Sequence, residues 1–230
     1  MSPSESPINY PHARLLAKSS EVEIEQAITV LDDAFRGDSF TDILTGGDLS
    51  LSRPQFNAML RGALIGGQVY VISIGPNATD IVGVTVWYPP CKHSMSTEEE
   101  RAQGWNQFME SMPEKLRIWF AEHFRPRMSG LAIEALGEEQ ALNAWHLQLF
   151  GVLKAYHGKG YGRKLYEVVE CQAKAQGALM YLETTTELDV KIYQKLGFHV
   201  RSEVYIINWI GTGHVRLMIQ ETKGSDVKET

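Results

Sequence analysis

The chain has 230 residues, 43% of them hydrophobic, and a formal net charge of −6. That length and apolar content suit one domain with a sizeable core and an insertion. The acidic balance excludes the basic face of a nucleic-acid binder, and no apolar run reaches a membrane span. Two cysteines, Cys91 and Cys171, form neither a metal spacing nor a disulfide framework, so a reduced, cytoplasmic setting without metal is expected.

Residues 1–12 are rich in Ser and Pro, lack the basic start and apolar core of a signal peptide, and read as a disordered tail. The domain is expected over 13–223, with a polar tail at 224–230. Val22, Ile24, Ala27, Ile28, Leu31 and Phe35 recur at helical spacing, and a second helix is predicted from Arg53-Pro54 to Ile65. The β-rich runs 69–74 and 81–87 predict a hairpin that Pro89-Pro90 ends.

A helical insertion follows over about 95–142. Trp105, Phe108, Met109, Met112, Leu116, Trp119, Phe120 and Phe124 form an apolar stripe interrupted at Pro113, which predicts two amphipathic helices, with a third over Ser129 to Leu142. The stripe reads as core or, in part, as the wall of a substrate pocket. Thereafter a strand (145–153), a helix (160–176), a strand (179–184), a short helix (188–196) and a terminal strand pair (198–210, 214–221) are predicted.

The most informative segment is His157-Gly158-Lys159-Gly160-Tyr161-Gly162, a glycine-rich turn between a strand and a helix. Unpaired N–H groups and the dipole at such a helix start favour a pyrophosphate. Lys159 is followed by Gly160 rather than Ser or Thr, so this is no Walker loop. Arg163 stands where a dinucleotide fingerprint needs its third glycine, and too little chain follows for two nucleotide-binding halves. A plain strand-to-helix turn is the bland alternative.

The order His157-x-x-Gly160-x-Gly162, then Leu182-Glu183-Thr184-Thr185, then Tyr193-Gln194-Lys195-Leu196-Gly197-Phe198 resembles the GNAT N-acetyltransferases. Val84 to Pro90 and Trp145 to Val152 are similar to segments of puromycin N-acetyltransferase-type members. The likeness is good over 143–200, patchy over 20–90 and absent over 91–140. It implies an α/β fold with a mixed, mostly antiparallel sheet and helices on both faces. It also implies acetyl-CoA as co-substrate and a small-molecule amine as acceptor, while charge and hydropathy lead us to expect no nucleic-acid or membrane partner. A homodimer is left open.

Acetyl transfer to an amine asks a site to hold the pyrophosphate, polarise the thioester carbonyl, deprotonate the amine and protonate the leaving thiolate. By resemblance the first falls to the backbone of His157, Gly158, Lys159, Gly160, Tyr161 and Gly162. His157 departs from the family's Gln or Arg, and its charge varies with pH. An exposed backbone N–H among Phe150, Gly151 and Val152 is expected to polarise the carbonyl, with Gly151 permitting a bulge or close approach. Tyr193 falls on the family's general acid; packing against Phe198 is its alternative. Glu183 and His146 are rival bases; Glu183 could instead pair with a nearby base, and strand alternation predicts His146, Gln148 and Phe150 on one face. Asp189 replaces a puromycin-type Asn beside the cofactor arm and fits better as partner in a Thr186 helix cap. Trp87 and Tyr88 are expected at the acceptor side, where they could stack on substrate or serve as core. Non-catalytic acyl-CoA sensing, protein or peptide N-acetylation and a nucleotide-dependent reaction are the rival functions.

Overall fold

In a computed structural model, which describes residues 10–222, the chain forms a mixed sheet of seven strands among these residues. The elements in chain order are β1 (His12–Leu15), α1 (Glu21–Ala34), α2 (Ser39–Leu44), α3 (Ser52–Gly66), β2 (Gln68–Ser73) and β3 (Ile81–Tyr88). The insertion follows as α4 (Glu98–Arg101), α5 (Trp105–Ser111), α6 (Glu114–Trp119), a π turn over Phe120–Phe124, α7 (Arg125–Leu136) and α8 (Glu138–Leu142). The chain then runs through β4 (Trp145–Val152), α9 (Tyr161–Gln176), β5 (Met180–Thr184), α10 (Glu187–Lys195), β6 (His199–Ile207) and β7 (Thr212–Gln220).

Strand order is β1-β2-β3-β4-β5-β7-β6, antiparallel throughout except for the parallel pair β4/β5. The predicted α/β class and mostly antiparallel sheet match this arrangement. β1 begins at His12, within the stretch read as a disordered tail; its four residues are too few to show a period, and residues 1–9 lie outside the described residues. The polar tail at 224–230 also lies outside them.

Two clusters cover one face of the sheet. Ile28, Leu31, Phe56 and Leu60 of α1 and α3 pack on Val71, Val84, Val86 and Leu149, while the insertion packs on Tyr181, Val215, Leu217 and Ile219 of β5 and β7. On the opposite face Leu165, Tyr166 and Val169 of α9 meet Trp87, Trp145, Leu147 and Leu182. Capping supports these helices: Ser20 and Glu23 form a reciprocal box at the start of α1, and Gly177 closes α9 in the left-handed conformation.

β4 positions the site. Its parallel pairing with β5 holds only from Trp145↔Met180 to Leu147↔Leu182, after which the strands part. On its other side the register with β3 slips, Val86 facing Leu149 and Trp87 facing Leu147, so Gln148 is an extra, bulged residue. A one-residue slip turns every later side chain to the other face. Leu147 therefore joins the α9 face and Leu149 the α1 face. This corrects the expected alternation: His146 and Phe150 point to opposite faces.

Candidate active site

The glycine turn meets the start of α9 as predicted. Gly158 and Gly160 have φ of 73° and 78°, which L side chains rarely adopt, and a Cβ at either would touch nothing within 4 Å. No side chain caps α9, and the N–H groups of Tyr161, Gly162 and Arg163 have no hydrogen-bond partner among the described residues. Gly162 has a different reason: a Cβ there would stand 3.1 Å from the Phe150 ring. Lys159 lies over the Tyr156 ring at 4.8 Å. His157 donates from Nε2 to the Val152 carbonyl at 2.7 Å, so its ring ties the turn to the end of β4.

Leu153 N–H donates to Val82 O, and counting back along the antiparallel ladder turns the N–H groups of Phe150 and Val152 away from β3, toward the parting from β5. Gly151 instead faces β3 with its N–H. It is glycine because α1 passes close: a Cβ would lie 2.9 Å from Ala34 Cβ. The expected bulge is three residues away, at Gln148.

The two rival bases prove to be one unit. His146 pairs in register with Tyr181, and Glu183 stands two residues further along the same face of β5. The His146 ring donates from Nε2 to Glu183 Oε2 at 2.7 Å and stacks flat on Tyr181, with centroids 4.4 Å apart and planes 1° apart. With the proton held on Nε2, Nδ1 of the neutral ring is an acceptor, and it has no protein partner among the described residues.

Tyr193, on α10, packs edge-on against Phe198 and beside Phe150, on the α9 face. Burial, reinforced by the Asp189 carboxylate, raises its phenol well above the ordinary value. It stays protonated at neutral pH and makes no hydrogen bond among the described residues. Asp189 is the helix-cap partner: Thr186 Oγ1 donates to it at 2.6 Å and accepts from its N–H at 3.1 Å. Asp38, which caps α2, faces Asp189. Burial raises its carboxyl above the ordinary value and Asp189 adds to the rise, while hydrogen bonds from Phe40 and Thr41 oppose it.

Asp38, His146, Phe150, Glu183, Asp189 and Tyr193 line one cavity of about 970 Å³, roofed by the insertion and by the segment after α1; the turn from His157 to Gly162 is not part of its lining. Trp87 and Tyr88 do not line it. Both side chains are fully buried, Trp87 against Tyr166 under α9 and Tyr88 under α1 and α3, and burial pushes the Tyr88 phenol up to about 12. Their assignment to substrate is therefore corrected to core. Sequence reasoning missed Asp38, although an Asp before a short polar-apolar run is an N-cap signal. It also missed Ser94, which accepts from Gln148 Nε2 at 2.6 Å. No group of three or more metal-ligand side chains occurs among the described residues. None of the helices described is long and apolar enough to cross a membrane.

The mixed sheet parted between its two parallel strands, with an uncapped helix start after a glycine turn, matches the fold of solved GNAT acetyltransferases. Residues 114–200 match the acetyltransferase (GNAT) domain family. A Schizosaccharomyces pombe protein described as an uncharacterized N-acetyltransferase is 25% identical over 142 residues, covering 62% of this chain; the chain spans 57% of that relative's length. Among solved structures, an acetyltransferase of Corynebacterium glutamicum related to histone acetyltransferases superposes with a TM-score of 0.60 at 17% identity, covering 94% of this chain and 99% of its own. Arylalkylamine N-acetyltransferase 2 of Aedes aegypti gives 0.56 at 16%, covering 92% and 100%. At these identities the structures share the fold with this chain. The kinship with puromycin-type members stays an expectation.

Proposed function

We propose that the chain is an acetyl-CoA-dependent N-acetyltransferase that acts on a small-molecule amine in the cytoplasm, by direct attack on the thioester. One observation carries the reading. The sheet parts beside β4, with a base on one face of that strand and an acid on the other, because the Gln148 bulge separates His146 from Phe150 and Tyr193. The turn from His157 to Gly162, with the uncapped start of α9, suits a pyrophosphate, and the parting beside Phe150 and Val152 suits the pantetheine arm. Bound acetyl-CoA supplies an activated acyl group.

The residues then divide the labour. Glu183 and Tyr181 hold His146 with Nδ1 free, and that nitrogen takes a proton from the acceptor ammonium. The N–H groups of Phe150 and Val152 are fixed donors for a carbonyl oxygen. Tyr193 holds a proton for a departing thiolate. Cys91 and Cys171 are exposed and do not line the cavity, so neither is placed to carry an acyl group.

Thermal shifts with acetyl-CoA, ATP and NAD, followed by thiol release across an amine panel, test this reading. Stabilisation by acetyl-CoA alone and thiol release with an amine are expected. Stabilisation by ATP or NAD alone contradicts it, as does acetyl-CoA binding without turnover on any amine, which would identify a sensor.

A further inference from the structure

The cavity has an uneven lining. Its lining includes the acids Asp38, Asp189 and Glu183 with His146, and also Arg36, His93 and Gln55, whereas the roof is mainly apolar, with Arg125 and Ser129 beside its rings. Trp105, Phe120, Phe124 and Met128 come from the insertion, with Phe40 from α2 and Met59 from α3. The rings form a connected surface, with centroids 5.9 Å apart for Trp105–Phe120, 4.7 Å for Phe120–Phe124 and 6.3 Å for Phe40–Phe124. The π turn at Phe120–Phe124 sets two of these rings on the cavity, and single π turns are frequent at functional sites. The surface is anchored: Trp119 Nε1 donates to the Ile207 carbonyl at 2.8 Å, and Lys115 lies over Trp209 at 4.0 Å.

We infer that the acceptor is a primary amine on a bulky aromatic body, and that the insertion, through Phe120 and Phe124, sets this preference. The inference rests on the N-acetyltransferase reading above and names the substrate of that site. A polypeptide brings an N–H and a C=O with every residue, and the ring surface offers those groups no partners. A short polar amine would reach the acidic end and leave the rings against water. An arylalkylamine satisfies both ends, with its ammonium at the His146–Glu183 cluster and its ring on the roof.

The test compares kcat/KM for 2-phenylethylamine, ethanolamine and a short peptide with a free N-terminus, at saturating acetyl-CoA. The enzymes are the wild type, Phe124→Ala and the milder Phe124→Leu. The aryl amine is expected to exceed ethanolamine by about thirtyfold or more, the discrimination conferred by burying one ring. Phe124→Ala should narrow that ratio several-fold, Phe124→Leu less so, with the KM for acetyl-CoA unchanged. Equal or better use of ethanolamine or the peptide overturns the inference and leaves N-acetylation standing. So does an unchanged ratio in a folded Phe124→Ala that still binds acetyl-CoA. If no amine is turned over, the enzymatic reading fails separately. Stabilisation by 2-phenylethylamine that disappears in Phe124→Ala would still support the pocket assignment, and its absence would overturn it.

Discussion

Gly160 and Gly177 stand at opposite ends of α9, and both adopt left-handed backbone, with φ of 78° and 62°. A Cβ at either meets nothing within 4 Å, so neither substitution to alanine creates a clash. Each should therefore cost only the left-handed penalty, about 1–2 kcal/mol, a fall in Tm of roughly 2–8 °C for a domain of this size. They differ in what lies outside. The proposed pyrophosphate site is the uncapped start of α9 at Gly160, whereas Gly177 caps the other end of the helix. Gly160→Ala should weaken CoA binding by tenfold or more, about 1.4 kcal/mol, beyond the matched loss of stability. Gly177→Ala should leave CoA affinity unchanged. Calorimetric titration with CoA and thermal denaturation of both variants read the two effects apart. Equal CoA affinity in wild type and a folded Gly160→Ala would refute the placement of the ligand.

The remaining predictions concern the chemistry and the core. Glu183→Gln should keep CoA affinity and lower kcat by about 10²–10⁴, since His146 loses the carboxylate that fixes its tautomer; single-turnover kinetics would show it, and an unchanged rate would remove the pair from the mechanism. Tyr193→Phe should lower kcat while leaving the KM for acetyl-CoA in place. Because burial raises the Tyr193 pKa, the wild-type rate should show no loss from its ionisation up to pH 10, as a pH–rate profile would reveal. The buried phenols also set an alkaline limit. Tyr88 is raised from 10.0 to about 12, so its contribution to stability is present below pH 10 and lost as pH rises through about 12, measurable as falling urea midpoints. Trp87→Ala should destabilise the fold by about 3–5 kcal/mol, and Trp87→Phe should leave the KM for the amine unchanged, as befits core.

The residues that were legible in the sequence are those whose type the local backbone dictates. Gly158 and Gly160 mark the turn because few other residues adopt their φ, and the 3.6-residue spacing of α1, α3 and α9 marks those helices. Glu183 and Tyr193 stood out through their order in a family pattern, and both line the cavity. The bulge at Gln148 was not: it is a slip against β3, a non-local event, and β4 still alternates apolar and polar residues across it. That slip misdirected the reading of His146, Gln148 and Phe150 as one face. The union of His146 with Glu183 was hidden for the same reason, since it depends on the parallel register of β4 and β5. Trp87 and Tyr88 resemble substrate-stacking residues in sequence, and only packing of both sheet faces reveals them as core. β1 and α2 are short, and their order comes from tertiary pairing more than from local pattern.

The central claim is direct transfer from acetyl-CoA to an amine through the parting beside β4. It is tested most directly by incubating the protein with deuterated-acetyl-CoA and 2-phenylethylamine and following the label by mass spectrometry in both small molecules and protein. The account predicts a labelled amide, stoichiometric free CoA and no labelled peptide, including those holding Cys91 and Cys171. A labelled protein intermediate that chases into product would contradict direct attack, and CoA binding with no labelled amide from any amine would contradict the enzymatic reading itself.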